Sequence, residues 1–256
     1  MLKATFKGFL KLLRLPYWLM TGGLALLTLI ALKKEDLSID LMALTFFSMA
    51  FLGSAGFAIN DYFDKESDAV IKPTRPIPSG ELSPEAAVGI AAVLFIVAFI
   101  ISYMINLVSL TIVLVDAFLL IVYSAYVKRW SGLVANILVG LLTGTSFLYG
   151  EAAGFGAVTA ASASVFPICL GTIGGNILRD ILSMDGDAKV NYPTLPLRVG
   201  VEKAVKIAVP FFIICALSAP MPYILNIFSV AYLVCISIWS LTVLYSAASL
   251  LKDSSW

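Results

Sequence analysis

Asn60-Asp61-Tyr62-Phe63-Asp64-Lys65-Glu66-Ser67-Asp68 stands at the end of one long apolar run, and Arg179-Asp180-Ile181-Leu182-Ser183-Met184-Asp185-Gly186-Asp187 at the end of another. Carboxylates are costly next to lipid, so two separate groups of them in so apolar a chain point to work on cations. The stretches also align. Asp61 and Asp68 are seven residues apart, as are Asp180 and Asp187, and alanine follows each pair. Further on, Pro73-Thr74-Arg75-Pro76 is echoed by Pro193-Thr194-Leu195-Pro196, and Gly80 by Gly200. These matches favour duplication of a four-helix unit over chance likeness of two proline-rich loops, with the active region between the halves. The expected organisation is one transmembrane domain over 1–256, with pseudo-repeat halves of about 1–127 and 128–256.

The rest of the chain sets these stretches in a membrane. Of 256 residues 60% are hydrophobic and only 13% charged, where a soluble domain carries about 25% charged residues; mean hydropathy is +0.98. Apolar segments near 15–32, 41–59, 84–105, 107–127, 132–150, 157–178, 201–219 and 223–250 read as eight spanning helices. The expected fold is all-α, a polytopic membrane bundle. Lys3, Lys7, Lys11 and Arg14 precede the first segment as in a signal peptide, but that segment is long and lacks a small-residue cleavage site, so it reads as the first spanning helix.

Orientation follows from charge. With the N-terminus inside, 15 of the 17 lysines and arginines fall on inner segments, and only Lys33 and Lys34 outside. The positive-inside rule then puts the N-terminus and both acidic loops on the cytoplasmic side of the cell membrane. The net charge of +1 says nothing about partners, whereas its distribution does; no nucleic-acid partner is expected. The absence of histidine excludes histidine general bases, zinc–histidine sites and haem–histidine ligation. Cys169, Cys215 and Cys235 lie in apolar runs without paired spacing and read as small buried hydrophobes.

If the second helix continues through the first cluster, Asn60, Asp64 and Asp68 share one face at i, i+4 spacing, with Asp61 beside them. Asp180 and Asp187 are two helical turns apart, about 10 Å of rise. Carboxylates so placed repel one another unless a counter-ion joins them, and Mg2+ suits: it takes hard oxygen ligands, one or two carboxylates plus phosphate oxygens. A solvated acidic helix end is the plainer alternative. Lys72, Arg75, Lys128, Arg129, Arg179, Lys189 and Arg198 fall on the same face and suit a departing diphosphate, although inner loops are basic in any case. Tyr123 and Tyr126, just before Lys128, are placed to stabilise a carbocation through their ring faces, or serve as ordinary interfacial tyrosines. Asp116 sits mid-helix and stays outside the site, with a structural hydrogen bond as likely a role as a functional one.

Asn60-Asp61-x-x-Asp64-x-x-x-Asp68 followed by Arg75-Pro76-Ile77-Pro78-Ser79-Gly80 resembles the signature of the UbiA-family intramembrane prenyltransferases. Tyr123-Ser124-Ala125-Tyr126-Val127-Lys128-Arg129 is similar to that family's tyrosine-to-lysine-arginine stretch, and Asp180 through Asp187 with Thr194-Leu195-Pro196 to its second motif. The resemblance implies eight or nine helices around a central lipid-accessible cavity. It implies Mg2+ held by Asn60, Asp61, Asp64, Asp68, Asp180 and Asp187, and a prenyl diphosphate met by Lys72, Arg75, Lys128, Arg129 and Lys189, with Asp64, Asp68, Lys128 and Arg129 catalytic. Tyr123 and Tyr126 would face the prenyl chain or cation. Two departures stand out. Ser183 takes the place of a middle aspartate, as in the chlorophyll-synthase branch, leaving Asp185 as a substitute ligand. Family members usually have nine helices, and eight are found before Trp256.

The function implied is Mg2+-dependent transfer of a prenyl group, best taken as geranylgeranyl, to a lipid-soluble acceptor in the membrane. Compactness and the run Asn60–Gly80 look most like the archaeal-type enzymes acting on geranylgeranylglyceryl phosphate. An aromatic quinone precursor or chlorophyllide is the alternative acceptor. Two other classes remain: a cation-coupled transporter, which predicts carboxylates near the midplane rather than at inner helix ends, and a non-catalytic isoprenoid-binding protein.

Overall fold

The computed structural model describes residues 2–33 and 35–252, with side chains from Phe6 onward. Lys34, Trp256 and the side chain of Lys3, all used above, lie outside the described residues. Every regular element among the described residues is helical. Eight helices are long and apolar enough to cross a membrane: Phe6–Leu32, Ile39–Phe63, Pro84–Ile105, Leu107–Trp130, Gly132–Phe155, Ala160–Leu182, Val201–Ile224 and Val230–Lys252. Each overlaps one expected segment; the third matches at both ends, and the others differ at one or both. The second, fifth and sixth run on past 59, 150 and 178, because helical hydrogen bonding continues through polar residues at the helix ends. The last begins at Val230 rather than 223, since Met221–Ile224 belongs to the preceding span and Asn226 adopts φ 58°.

In chain order the helices are α1 (Leu2–Leu13), α2 (Trp18–Leu32), α3 (Ile39–Phe63), α4 (Lys65–Ile71), α5 (Pro84–Ile105), α6 (Leu107–Val122), α7 (Lys128–Trp130) and α8 (Gly132–Phe155). They continue with α9 (Ala160–Val165), α10 (Leu170–Leu182), α11 (Met184–Lys189), α12 (Leu195–Val199), α13 (Val201–Ser218), α14 (Met221–Ile224) and α15 (Val230–Lys252). A π-helical turn, Tyr123–Val127, joins α6 to α7. Starts are set by capping side chains: Ser38, Ser83 and Asn106 accept the backbone N–H of Leu41, Ala86 and Ser109 and so begin α3, α5 and α6.

Contacts divide the chain into two units, one holding the chain up to Val127 with Leu148–Val158, the other Lys128–Phe147 with the chain from Thr159. In the first, α3 packs against α2, α5 and α6. Its small residues Ala50, Ser54, Ala55, Gly56 and Ala58 are buried and let neighbouring helices approach, the usual basis of packing where lipid gives no hydrophobic drive. Ser48, Ser102 and Tyr149 form a buried hydrogen-bonded chain, with oxygens 2.6 and 3.0 Å apart. Gly22 lies so close to the Phe46 carbonyl that a Cβ there would strike backbone. Gly22→Val is therefore expected to cost about 1–3 kcal/mol by forcing α2 off α3, read as a lower thermal midpoint in detergent; an unchanged midpoint would show that this contact does not set the packing.

In the second unit α10 packs on α13, and α13 on α15. Phe212 of α13 covers Gly174, and Ile173 packs against Gly140 of α8. The second proline loop is pinned to the start of α8: Gly132 N–H donates to Pro193 O at 3.0 Å, and Arg198 to Trp130 O at 2.7 Å.

Candidate active site

The first acidic motif is built where α3 gives way to α4. Asp64 sits at the bend with φ −89° and ψ 1°, yet the four-residue backbone bonds carry through it. Asp64 N–H donates to Asn60 O at 2.9 Å, Asp68 N–H to Asp64 O at 2.7 Å, and Lys72 N–H to Asp68 O at 2.8 Å. Asn60, Asp64 and Asp68 therefore keep their four-residue register. Asn60 Nδ2 donates to Asp64 Oδ2 at 2.9 Å. Asp61, Asp64 and Asp68 are each only 2% exposed, and buried carboxylates need compensating charge.

Two guanidinium groups supply it. Arg14 Nη2 donates to Asp61 Oδ1 at 2.6 Å, and Arg75 Nη1 to the same oxygen at 3.0 Å and to Asp68 Oδ2. Arg75 was expected; Arg14, counted only for orientation, was missed. It lies between α1 and the 3₁₀ turn Leu15–Tyr17 in the left-handed region, φ 50° and ψ 52°, with its guanidinium 4.5 Å from the Phe57 ring centre. The loop carrying Arg75 is itself tied down. Lys11 Nζ reaches Thr74 O at 3.3 Å and Glu81 Oε1 at 2.7 Å, Gly80 turns it at φ 72°, and Leu82 N–H donates to Pro76 O. Lys11 beside Glu81 holds its carboxyl below the ordinary value.

The second motif repeats the local form. Ser183, at the position matching Asp64, bends the chain between α10 and α11 at φ −103° and ψ 2°. Its Oγ donates to Asp187 Oδ2 at 2.6 Å, while Asn136 Nδ2 of α8 donates to Asp180 Oδ2 at 2.7 Å. Asn136 was also missed; the signal was an asparagine inside the first turns of an apolar helix, which lipid tolerates only for a reason. Arg179 turns to Asn176 Oδ1 at 2.7 Å. Asp187 is buried, whereas Asp185 and Lys189 are exposed, and Asp185 takes no part in these hydrogen bonds.

Of the other expected residues, Lys128 lies over the Tyr192 ring, 4.8 Å from its centre. Tyr123 is partly buried in the π-helical turn, a local distortion often found at functional sites. Tyr126 is 74% exposed, and Lys72 and Arg129 are exposed as well. Asp116 and Glu151 are two further carboxyl residues buried in spanning helices outside the motifs.

The first motif fits a hard divalent cation. Asn60 Oδ1 and Asp61 Oδ2 are buried acceptors without a hydrogen-bond partner. Among the described residues no three carboxylate or thiol groups are arranged to hold a metal alone; magnesium characteristically completes its shell with water and phosphate oxygens instead.

Burial, outweighing the lowering by Arg75, raises the pKa of Asp68 above the ordinary carboxylate value. A raised carboxyl pKa favours the folded state at low pH, and that contribution is lost as pH rises through the raised value. If Asp68 holds the metal it does so as the carboxylate, so Mg2+ affinity is expected to increase with pH across this window. Calorimetric titration with Mg2+ at several pH values checks this; affinity flat across the window would contradict it.

A model of the UbiA prenyltransferase family matches residues 17–255. The chain belongs to the UbiA prenyltransferase family. It is an enzyme that transfers prenyl groups. It is 34% identical over 229 residues to the digeranylgeranylglyceryl phosphate synthase of Natronomonas pharaonis, covering 89% of this chain and 82% of that one. With the enzyme of that name from Methanosarcina mazei it shares 34% identity over 263 residues, 98% and 91% of the two chains. A solved structure of digeranylgeranylglyceryl phosphate synthase in membranes superposes with TM-score 0.83 at 31% identity, covering 97% of this chain and 88% of that chain. A UbiA homolog from Archaeoglobus fulgidus, bound to DMAPP and Mg2+, shares the fold at TM-score 0.77 and 20% identity, over 97% and 88% of the chains. The transporter reading finds no support in the fold or in the UbiA family.

Proposed function

We propose that this UbiA-family enzyme transfers a geranylgeranyl group from its diphosphate to geranylgeranylglyceryl phosphate, with Mg2+ held at the acidic motifs. The observation that carries the site is the first motif: three buried carboxylates, two unpartnered acceptor oxygens and two guanidinium groups at one helix end. The acceptor rests on relatives named digeranylgeranylglyceryl phosphate synthase that share about a third of their residues over most of the chain.

Asn60, Asp61, Asp64 and Asp68 would hold the metal in the first motif, and Asp180 and Asp187 in the second. When bound, Mg2+ neutralises charge on the diphosphate and so eases its departure. Arg75, Lys128, Arg129, Lys72 and Lys189 add positive charge at the leaving group. The allylic C–O bond breaks, with its electron pair going to diphosphate. The acceptor hydroxyl oxygen forms the new ether bond, and its proton passes to an aspartate carboxylate. Tyr123, partly buried, presents its ring face to the allylic cation, a role that Tyr126, 74% exposed, is poorly placed to share. Exclusion of water keeps the cation from hydrolysis. Asp185, the substitute ligand, is exposed and outside the hydrogen bonds that Ser183 and Asn136 make to the second motif, so Asp180 and Asp187 are preferred to it. The two motifs descend from one duplicated unit, a reading supported by the matching bends at Asp64 and Ser183 and the positive φ of Gly80 and Gly200. Both lie at the cytoplasmic face of the cell membrane, supported by the inner bias of lysine and arginine.

The test supplies purified protein with labelled geranylgeranyl diphosphate, Mg2+ and, separately, geranylgeranylglyceryl phosphate, hydroxybenzoate, naphthoate and chlorophyllide. Labelled diether phosphate is the expected product. Transfer to an aromatic acceptor or to chlorophyllide instead would replace the acceptor assignment, and no product with any would reject the reading.

A further inference from the structure

We propose that Arg75 stands in for the metal's charge at the first motif, so that divalent cation and diphosphate bind together and each binds weakly alone. The inference rests on the reading of Asn60, Asp61, Asp64 and Asp68 as the metal–diphosphate site. It assigns Arg75 a role besides meeting the diphosphate.

One nitrogen of Arg75 bridges the first and last carboxylates of the motif, at Asp61 Oδ1 and Asp68 Oδ2. Those carboxylates are almost wholly buried, so the bridge is part of what balances them without a metal; for Asp68 it is the part seen among the described residues. Arg14 shares Asp61 Oδ1, but it is held from elsewhere, by the Phe57 ring and by its place between α1 and the following turn. Arg75 stands on the loop between α4 and α5, whose backbone is tied down. Among the described residues no ring lies against its guanidinium, so its side chain is the one better able to change partners. Asp61 Oδ2 and Asn60 Oδ1 stay without a hydrogen-bond partner, so a cation has two acceptors that Arg75 does not already use.

A cation using these oxygens and Asp68 meets the Arg75 charge at close range. Like charges in a poorly solvated site repel strongly, so binding alone is weak. Diphosphate changes the balance, because its oxygens accept both N–H groups of a guanidinium in parallel and offer Arg75 a new partner. Such coupling is reciprocal: diphosphate raises cation affinity by the factor by which the cation raises diphosphate affinity, typically about 5- to 150-fold.

The experiment measures Mn2+ binding to the full chain in detergent by electron paramagnetic resonance, with and without inorganic pyrophosphate at matched free Mn2+. Wild type should bind Mn2+ weakly alone and about 5-fold or more tightly with pyrophosphate. Arg75→Gln should bind Mn2+ alone more tightly than wild type, by a similar factor, and gain less from pyrophosphate. Arg75→Lys keeps the charge but loses the planar fork, and should fall between them. Unchanged or weaker binding of Mn2+ alone by both variants overturns the proposal, as does wild-type binding that pyrophosphate leaves unchanged. Asp64→Ala separates this from the site itself. Loss of Mn2+ binding in that variant, with and without pyrophosphate, supports the metal site on which the coupling rests; binding as in wild type rejects the site and with it the proposed function.

Discussion

Asp64→Ala is expected to lower prenyl-transfer kcat/KM by about a thousandfold or more. Asp64 is buried at the bend between α3 and α4, and its carboxylate is oriented by Asn60. Metal neutralisation of a leaving diphosphate is worth several kcal/mol, and about 4 kcal/mol corresponds to three orders of magnitude in rate. Alanine also leaves the Asn60 amide without its acceptor. The check is a steady-state assay with labelled prenyl diphosphate over a range of Mg2+ concentrations. Saturating Mg2+ should not restore the rate, since the missing ligand lowers the value reached and not only the metal affinity. Activity within tenfold of wild type would remove Asp64 from the metal site.

Asp61→Ala is expected to have the largest effect on stability as well as abolishing transfer. Asp61 is 2% exposed and takes both Arg14 and Arg75 on one oxygen. Removing one member of a buried ion pair typically costs about 3–5 kcal/mol. Both guanidinium groups keep 19% of their side-chain surface exposed, so about 2–3 kcal/mol is expected after discounting for solvent screening. In a chain of this size that lowers the thermal midpoint by about 4–12 °C, with the loss smaller in high salt. Asp185→Ala, exposed and outside the hydrogen bonds of the second motif, should change neither stability nor rate. An unchanged midpoint for Asp61→Ala would show that the arginine pair does not hold the site.

What sequence made legible followed from patterns that lipid enforces. Apolar runs of spanning length located all eight helices, and carboxylates in such a chain marked both motifs. Helix ends were less legible, because the apolar pattern stops at 59 while the backbone of Asn60 through Phe63 remains helical. The register Asn60–Asp64–Asp68 survived the bend at Asp64, since the four-residue hydrogen bonds continue through it. Arg14 was hidden for a different reason. It lies 47 residues before Asp61, and nothing local in Leu13-Arg14-Leu15-Pro16 tells which acid it will meet. Asn136 needed the pairing of α8 with α10, which is tertiary information. Ser183 looked like a lost ligand. Its hydroxyl instead orients Asp187, a substitution of donor for charge that residue type alone does not reveal.

The most direct measurement is a crystal or cryo-EM structure with Mn2+ and pyrophosphate, the metal located by its anomalous signal or density. Metal bonded to oxygens from Asn60, Asp61, Asp64 or Asp68, and to pyrophosphate, with Arg75 moved from Asp68 to a phosphate oxygen, is the expected result. Mn2+–pyrophosphate bound elsewhere, with Arg75 still bridging Asp61 and Asp68, would contradict the assignment of the first acidic motif as the metal site.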